Sequence, residues 1–496
     1  MKKIGLSLLV FLLGSTLAVQ AQNDADALRY SMLNYGSTAR SLGMSNSFGA
    51  LGADFSCLAI NPAGIAFYRR SEVTFSPLFS NRNTSSTYLG NSNEDNYFKF
   101  AFGNFGAVFS STKDHSNSEW KGWNFGIGYN KLNDFNSRSV AQGVNNQNSL
   151  LDNYLEQLDG VAPDDIPSSF PYDVDLAWQT YLIDTITLNG GLYYYNQIPY
   201  AGALQKRTVE TKGGQGEWDF SLGTNYDNKL YMGVTLGISS LRYEQEVLWE
   251  EKDVMDTIPG FTSYKLTENL KTTGTGFNVK FGMIYKPNDF VRIGAAIHTP
   301  TYLSLRDNYR TSIRTKLDNT SESTYSGPDF IPFDYEINTP FRAIGSLAFI
   351  LGKVVALNVD YEYLNYSQAR TRSADPQFSD YFSDINSAIR AKYTESHNIR
   401  IGGEYRYEIL RFRLGVQSST TPFKNKYTTD SNTDLSRKGY SAGFGIKQDK
   451  FFIDFAYAHT ESGSFLQPYT LSNQEVQGIK YKQKDNRFLF TVGFTF

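Results

Sequence analysis

One cysteine in 496 residues, Cys57, leaves no intrachain disulfide to form, so stability has to come from packing or from a closed sheet. Histidine is nearly as scarce. The four present, His115, His298, His397 and His459, stand at no ligand spacing to one another or to Cys57, so neither a metal nor another cofactor is expected. There is no Gly-x-Ser-x-Gly nucleophile elbow. The nearest acid–histidine spacings, Glu395 with His397 and Asp454 with His459, make no persuasive catalytic pair, and no catalytic residue is expected. Positive charge is not in surplus either: 47 Lys and Arg face 50 Asp and Glu, a formal charge of −3, which does not suit a nucleic-acid partner. Finally, no apolar run after residue 19 reaches the roughly 18 residues that a membrane-spanning helix requires.

What the chain has in quantity is aromatic residues and glycine. Phe and Tyr number 36 and 34 and Gly 41, while the mean hydropathy of −0.40 reads as soluble. A membrane β-barrel reconciles these facts, because only alternate residues face lipid and aromatic girdles mark both interfaces. The C-terminus has that pattern. Phe488, Phe490, Val492, Phe494 and Phe496 fall on one face of a strand, opposite Arg487, Thr491, Gly493 and Thr495. A terminal strand with one apolar face, ending on Phe496, is the expected signal for the barrel insertion machinery. At the other end, Lys2 and Lys3 precede an apolar run from Ile4 to about Val19, and Val19-Gln20-Ala21 offers a cleavage site. Residues 1–21 therefore read as a secretory signal peptide, with Gln22 as the first mature residue. Loss of Lys2 and Lys3 would take the formal charge from −3 to −5.

Alternating segments recur along the chain. They run from Glu72 to Ser80, Tyr97 to Ser110, Gly122 to Phe135, Gly216 to Tyr226, Lys229 to Val247, Gly274 to Tyr285 and Phe290 to Leu305. Phe341 to Leu351, Lys353 to Tyr366, His397 to Tyr407, Arg411 to Ser418, Tyr440 to Lys447, Phe451 to His459 and the terminal strand complete about 14. Some neighbours are joined by only a few turn residues, such as Lys286-Pro287-Asn288-Asp289, and others by long polar excursions. Short turns on one rim and long loops on the other are expected of an outer-membrane barrel. Ile186 to Lys212 is ambiguous: either a hairpin inside a long loop or a displaced strand.

Strand parity assigns the charged residues. With Phe, Val and Tyr toward lipid, Arg292, Arg342, Asp360, Glu362, Arg400, Glu404, Arg413 and Asp454 point into the lumen, since an Arg at mid-depth on the lipid face costs about 2–4 kcal/mol. They could form a structural network, or Asp360 and Arg413 could hold the turn at Asn61. Two loops carry helical stripes. Phe378, Tyr381, Phe382, Ile385, Ala388 and Ile389 form one, and Leu150, Leu151, Tyr154, Leu155 and Leu158 the other. Such stripes pack on the barrel mouth or, for Phe378, Tyr381, Phe382, Ile385 and Ile389, form an extracellular capture surface.

Residues 22–70 do not read as strands and are long enough to obstruct the lumen as a plug, ahead of a barrel over residues 71–496. Asn61-Pro62-Ala63-Gly64 is by itself a turn signal. Taken with Ala39-Arg40-Ser41-Leu42-Gly43-Met44 and Gly49-Ala50, it resembles the hatch of the FadL/OmpP1/TodX family of hydrophobic-compound channels. Thr339-Pro340-Phe341-Arg342, Asn358-Val359-Asp360-Tyr361-Glu362-Tyr363 and Arg411-Phe412-Arg413-Leu414-Gly415-Val416 are similar to later parts of that family. The resemblance implies an all-β protein: a monomeric antiparallel barrel of about 14 strands in the outer membrane of a Gram-negative bacterium, with the hatch inside. It also implies passive uptake of long-chain fatty acids or other hydrophobic molecules. A structural or secretion-associated role is the alternative the fold permits. The family's carboxylate-binding residues have no evident match here.

Two breaks of parity point to an exit. Phe98, Phe100 and Phe102 share a face, but Phe105 and Phe109 change phase around Gly103-Asn104, and Leu132 breaks phase after Gly128. Bulges bend strands and interrupt pairing. The resemblance implies a sideways exit through an inward kink in the third strand, so Gly103, Asn104, Gly106, Gly126 and Gly128 are expected to border a lateral opening.

Overall fold

The computed structural model describes residues 17–112, 118–198, 202–329, 332–352, 354–424 and 434–496. His115, Lys353 and most of the expected signal peptide lie outside these.

Fourteen antiparallel strands close into a barrel. They are β1 (Glu72–Tyr88), β2 (Asn91–Thr112), β3 (Trp120–Asp134, continued by Ser137–Asn145), β4 (Ala203–Tyr226) and β5 (Leu230–Lys252). Next come β6 (Phe261–Tyr285), β7 (Val291–His298 and Tyr302–Leu317), β8 (Phe333–Asn338 and Arg342–Leu351) and β9 (Val355–Asn365 and Arg370–Arg372). The last five are β10 (Glu395–Tyr407), β11 (Leu410–Ser419), β12 (Arg437–Lys447), β13 (Phe451–Leu466) and β14 (Ile479–Thr495). Each pairs with its chain neighbours, and β14 closes on β1 from Glu72 opposite Thr495 to Thr87 opposite Lys480. Ser71 and Phe496 then exchange backbone hydrogen bonds of 3.1 and 3.0 Å, so the terminal aromatic ends the closing seam.

Alternation decides the two faces. On β11, Phe412, Leu414 and Val416 are exposed to the outside while Arg411 and Arg413 are buried within. On β14, Phe488, Phe490 and Phe494 face out, opposite Arg487, Leu489 and Thr491. Each segment read as a strand in the sequence falls mainly on one of the fourteen among the described residues, but several strands are much longer than read. β4, β5 and β6 run 24, 23 and 25 residues, whereas about 9–11 tilted residues cross a bilayer. Their outer halves therefore stand beyond the membrane, and much of what reads as long polar loop is extended sheet. The first outer connection is only Leu89-Gly90, both at positive φ. The ambiguous stretch holds the hairpin and displaces no strand: Ile183–Leu188 and Gly191–Asn196 pair separately, and residues 203–212 extend β4, already read from Gly216, outward. Above the barrel, helices α4 (Leu150–Gln157), α5 (Ile166–Ser169) and α6 (Val174–Gln179) pack with that hairpin on the strand extensions, burying Leu151, Leu158, Leu176 and Trp249.

The N-terminal segment is folded inside the lumen. α1 (Leu17–Ser31), α2 (Ala39–Leu42), α3 (Cys57–Ile60) and a 3-10 turn (Pro62–Phe67) precede β1. α1 runs toward the outer mouth, where Asp24 accepts from Tyr393 at 3.2 Å and pairs with Lys392 at 2.9 Å. From Ser31 to Phe67 the segment forms the hatch, with Phe48, Phe55, Cys57 and Leu58 fully buried. Burial raises the Cys57 thiol well above its ordinary pKa, so it is an inert packing group.

Candidate functional site

The hatch is held to the wall by buried ion pairs and close backbone contacts. Asn61 organises it locally. Its side-chain oxygen accepts from Ala63 N at 3.1 Å, starting the 3-10 turn with Pro62 first, and its amide donates to Gly49 O at 2.6 Å. Asp360 on β9 accepts from Phe48 N at 2.8 Å and Gly49 N at 3.1 Å. Among the described residues, Asp360 is linked to Asn61 through Gly49, and Arg413 makes no contact with the turn. The direct clasp expected from the sequence does not form, because the loop at Phe48–Gly49 lies between the turn and Asp360.

Arg413 serves a different contact. Its guanidinium bonds Glu404 at 2.7 Å and Asp454 at 2.6 Å, and Arg40 of the hatch grips the same Glu404 at 3.0 and 3.1 Å. Arg40 also donates to Ala53 O at 2.9 Å. Higher in the lumen, Glu362 takes Arg342 at 2.6 Å and also Arg400, while Arg342 reaches the carbonyl of Ser31 at the end of α1. Arg292 donates to Leu51 O and lies over Phe67 at 4.5 Å. All eight charged residues selected by parity are inside the barrel, and each side chain contacts either the hatch or another member of the set. A buried pair of this kind is costly to break, because removing one partner leaves the other charged and desolvated.

A third cluster was not singled out from the sequence. Lys280 on β6 meets Glu217 and, at 2.9 Å, Asp219 on β4, and Asn130 donates to Asp219 at 2.7 Å. Parity held its signal, since Lys280 alternates with the outward Phe277, Phe281 and Met283. His298 lies 2.9 Å from Ile60 O, another hatch contact. Neither candidate acid–histidine pair forms: His397 bonds Tyr361 at 2.7 Å, and Asp454 is taken by Arg413. Among the described residues no group of His, Cys, Asp and Glu could hold a metal ion.

Glycine on the wall marks where the hatch presses closest. A Cβ on Gly282 would lie 2.0 Å from Asn61 Oδ1, and one on Gly233 2.3 Å from Pro62 O. Gly64 is equally confined, its Cβ position 2.3 Å from Cys57 Sγ. Ala63 packs against Tyr231 and Ile284. The expected border of an opening proves to include such seats. Gly106 and Gly128 face Phe55 at 2.4 and 2.5 Å, and Gly126 faces Ile65 at 2.7 Å. β2 and β3 are continuously paired from Asn104 opposite Asn130 to Thr112 opposite Gly122, so Gly106, Gly126 and Gly128 lie in closed wall. Small residues there serve close packing of the hatch, which is invisible to strand parity.

The pairing stops at Gly103-Asn104. Gly103 is an extra residue opposite the Ser76–Pro77 step, and Leu132 is an extra residue opposite β4. Beyond Asn104 and Asn130, β2 pairs only with β1, and β3 only with β4. Among the described residues the seam between residues 91–103 and 131–145 carries no ladder hydrogen bonds, and Arg138–Asp95 at 3.5 Å spans it. Just inside, Asn34 N and Gly36 N donate to Leu132 O and Lys131 O, both at 2.7 Å. The hatch backbone thereby replaces β2 on the free edge of β3, with Gly36 O 2.5 Å from where a Gly103 Cβ would be. Phe98, Phe100 and Phe102 flank the seam on the outside.

The outer mouth is lined by apolar side chains but filled. Leu28 and Tyr30 of α1 pack with Leu241, Leu303, Ile337 and Leu364 of the wall. Helix α7 (Ser379–Lys392) caps them, with Phe382, Ile385 and Ile389 buried and Phe378 and Tyr381 partly buried in the same cluster. The capture surface expected there is therefore turned inward: the stripe packs on α1 and on Phe333, because α7 lies across the mouth.

With this geometry the comparisons with known proteins agree. The family model for outer membrane protein transport proteins (OMPP1/FadL/TodX) matches residues 218–496. No curated protein matches by sequence. Among solved structures, a FadL homologue of Pseudomonas aeruginosa superposes with a TM-score of 0.54 at 14% identity, over 93% of this chain and 99% of that one. The toluene transporter TodX of Pseudomonas putida gives 0.54 at 12% identity, with the same coverage. At such identities the likeness is one of fold, and it spans hatch and barrel together. The family match, the closed fourteen-stranded barrel and the lumenal hatch lead to one conclusion: this chain is a Gram-negative outer-membrane protein of the OMPP1/FadL/TodX transport family.

Proposed function

We propose that the barrel takes up hydrophobic molecules such as long-chain fatty acids without energy input, and releases them sideways into the membrane at the seam between β2 and β3. The observation that carries this reading is the seam itself, unpaired in the wall and closed from within by Asn34–Gly36. A polar cargo would need a wet path past the hatch. An apolar one needs only an opening into lipid, since an acyl chain gains nothing by crossing water. The apolar mouth around Leu28, Leu303 and Ile337 supports the same class of cargo, which would enter by displacing α1 and α7. The toluene transporter of similar fold is consistent with it.

Two measurements test the reading. Cells lacking the chain should take up a labelled long-chain fatty acid more slowly, whereas normal uptake with failing secretion or envelope integrity would favour the structural role. For the route, a photo-crosslinking phenylalanine analogue at Phe102, beside the seam, should capture transported fatty acid more strongly than the same analogue at Phe412, on lipid-facing wall elsewhere. Equal capture at both positions would exclude the seam as the exit.

A further inference from the structure

On the periplasmic side of the hatch the short turns surround a cavity of about 420 Å³. Its lining is unbalanced, with eight Lys or Arg side chains against four Asp or Glu. Those four carboxylates are already engaged. Glu404 and Asp454 hold Arg40 and Arg413, Asp54 accepts from Thr38 and Ser56, and Glu72 accepts from Tyr68 at 2.9 Å.

Four cations on this lining have no carboxylate within ion-pair distance among the described residues: Arg292, Arg411, Lys447 and Arg406, the last donating to the carbonyl of Glu408 at 3.5 Å. Arg292 Nε is buried without an acceptor. Arg411 donates through one nitrogen to the carbonyls of Glu408 and Leu410, each at 2.8 Å, which leaves the rest of its fork unused. Lys447 lies 5.2 Å from the centre of the Phe452 ring. Arg411 and Lys447 belong to adjacent strands at the same rim, where Arg411 pairs with Gly445 and Lys447 N donates to Ile409 O.

We propose that this vestibule is an oxyanion-binding site, taking a phosphate or carboxylate group on Arg292, Arg411 and Lys447. Like charges gathered around a partly desolvated cavity repel one another, and an anion among them turns that repulsion into attraction. A guanidinium offers an oxyanion two parallel donors, and an ammonium adds a point charge. The vestibule is separated by the hatch from the mouth, so the site does not depend on the route or identity of the apolar cargo.

The test uses the purified full chain in detergent, titrated calorimetrically with inorganic phosphate and, separately, octanoate at matched ionic strength. Saturable binding of at least one probe is expected. Phosphate alone would assign a phosphate-bearing ligand, and octanoate alone a carboxylate amphipath. The double variant Arg411→Gln/Lys447→Gln should weaken binding about tenfold or more while keeping heat-modifiable closure. Lys447→Gln alone supplies the comparison if the double variant does not close, and should still weaken binding about threefold. Lys450→Gln, in the neighbouring turn and off the lining, should bind as the parent does. Failure of both probes to bind the parent, or unchanged affinity in the closed variants, would overturn the assignment.

Discussion

Asp360 shows how single residues couple the hatch to the barrel. It accepts two successive backbone N–H groups, and its neighbour Asn358 also donates to it at 2.7 Å. Asp360→Ala should leave those donors unpaired, costing about 1–3 kcal/mol for a buried group. The expected outcome is faster hydrogen exchange at Phe48 and Gly49 with barrel closure intact; unchanged protection there would show that the carboxylate is not what holds the loop. Gly282→Val tests the other side of the hatch. Its Cβ would fall 2.0 Å from Asn61 Oδ1, whereas a Cβ at Gly345 meets nothing within 4 Å. Cys57, fully buried against Gly64, reports the result. Maleimide labelling of Cys57 should rise in Gly282→Val and stay at the parent rate in Gly345→Ala.

Among the elements, α1 and α7 are mutually dependent, since each buries its apolar residues mainly against the other and the wall. Ile385→Asp places an unpaired carboxylate at a site with 0% exposure, and proteolysis of the 373–394 loop and of α1 should increase together. Independent responses would mean that the two helices dock separately. α1 also carries a pH signature. Burial is the largest influence on Asp26, and it raises the carboxyl from 3.8 to about 6 despite the attraction of Arg29. A raised acid binds more protons folded than unfolded between those values, so the docking it supports is fullest below 3.8 and is lost as pH rises through about 6. Exchange of α1 amides, corrected for intrinsic rates, should be slower at about pH 5 than at about pH 7.5.

For the whole molecule, closure rests on the pairing of β1 with β14, completed by Ser71 and Phe496. Deleting Phe496 removes two of those closing hydrogen bonds and the exposed terminal ring, and should lower the fraction of chain that shows heat-modifiable migration from outer membranes. Full closure without it would mean that the terminal ring is dispensable for assembly. The mature protein is expected to begin at Gln22, which N-terminal sequencing would decide.

Alternation alone was enough to read the wall. A period of two puts Phe412 and Leu414 on one face and Arg411 and Arg413 on the other, and the cost of a charge in lipid then decides which face is outside. The same rule located the bulges at Gly103 and Leu132, because a slipped register reverses every later side chain. Partners were not legible. Asp360 meets Gly49 across 311 positions of sequence, and Arg40 meets Glu404 across 364. Nothing local encodes such distances, since they depend on how the hatch sits inside the closed barrel. The roles of Gly106, Gly126 and Gly128 were misread for that reason: a missing side chain looks the same in sequence whether it opens a wall or admits a neighbour. So too with α7, where helical spacing establishes an apolar stripe, while the direction it faces was decided only when α1 filled the mouth beneath it.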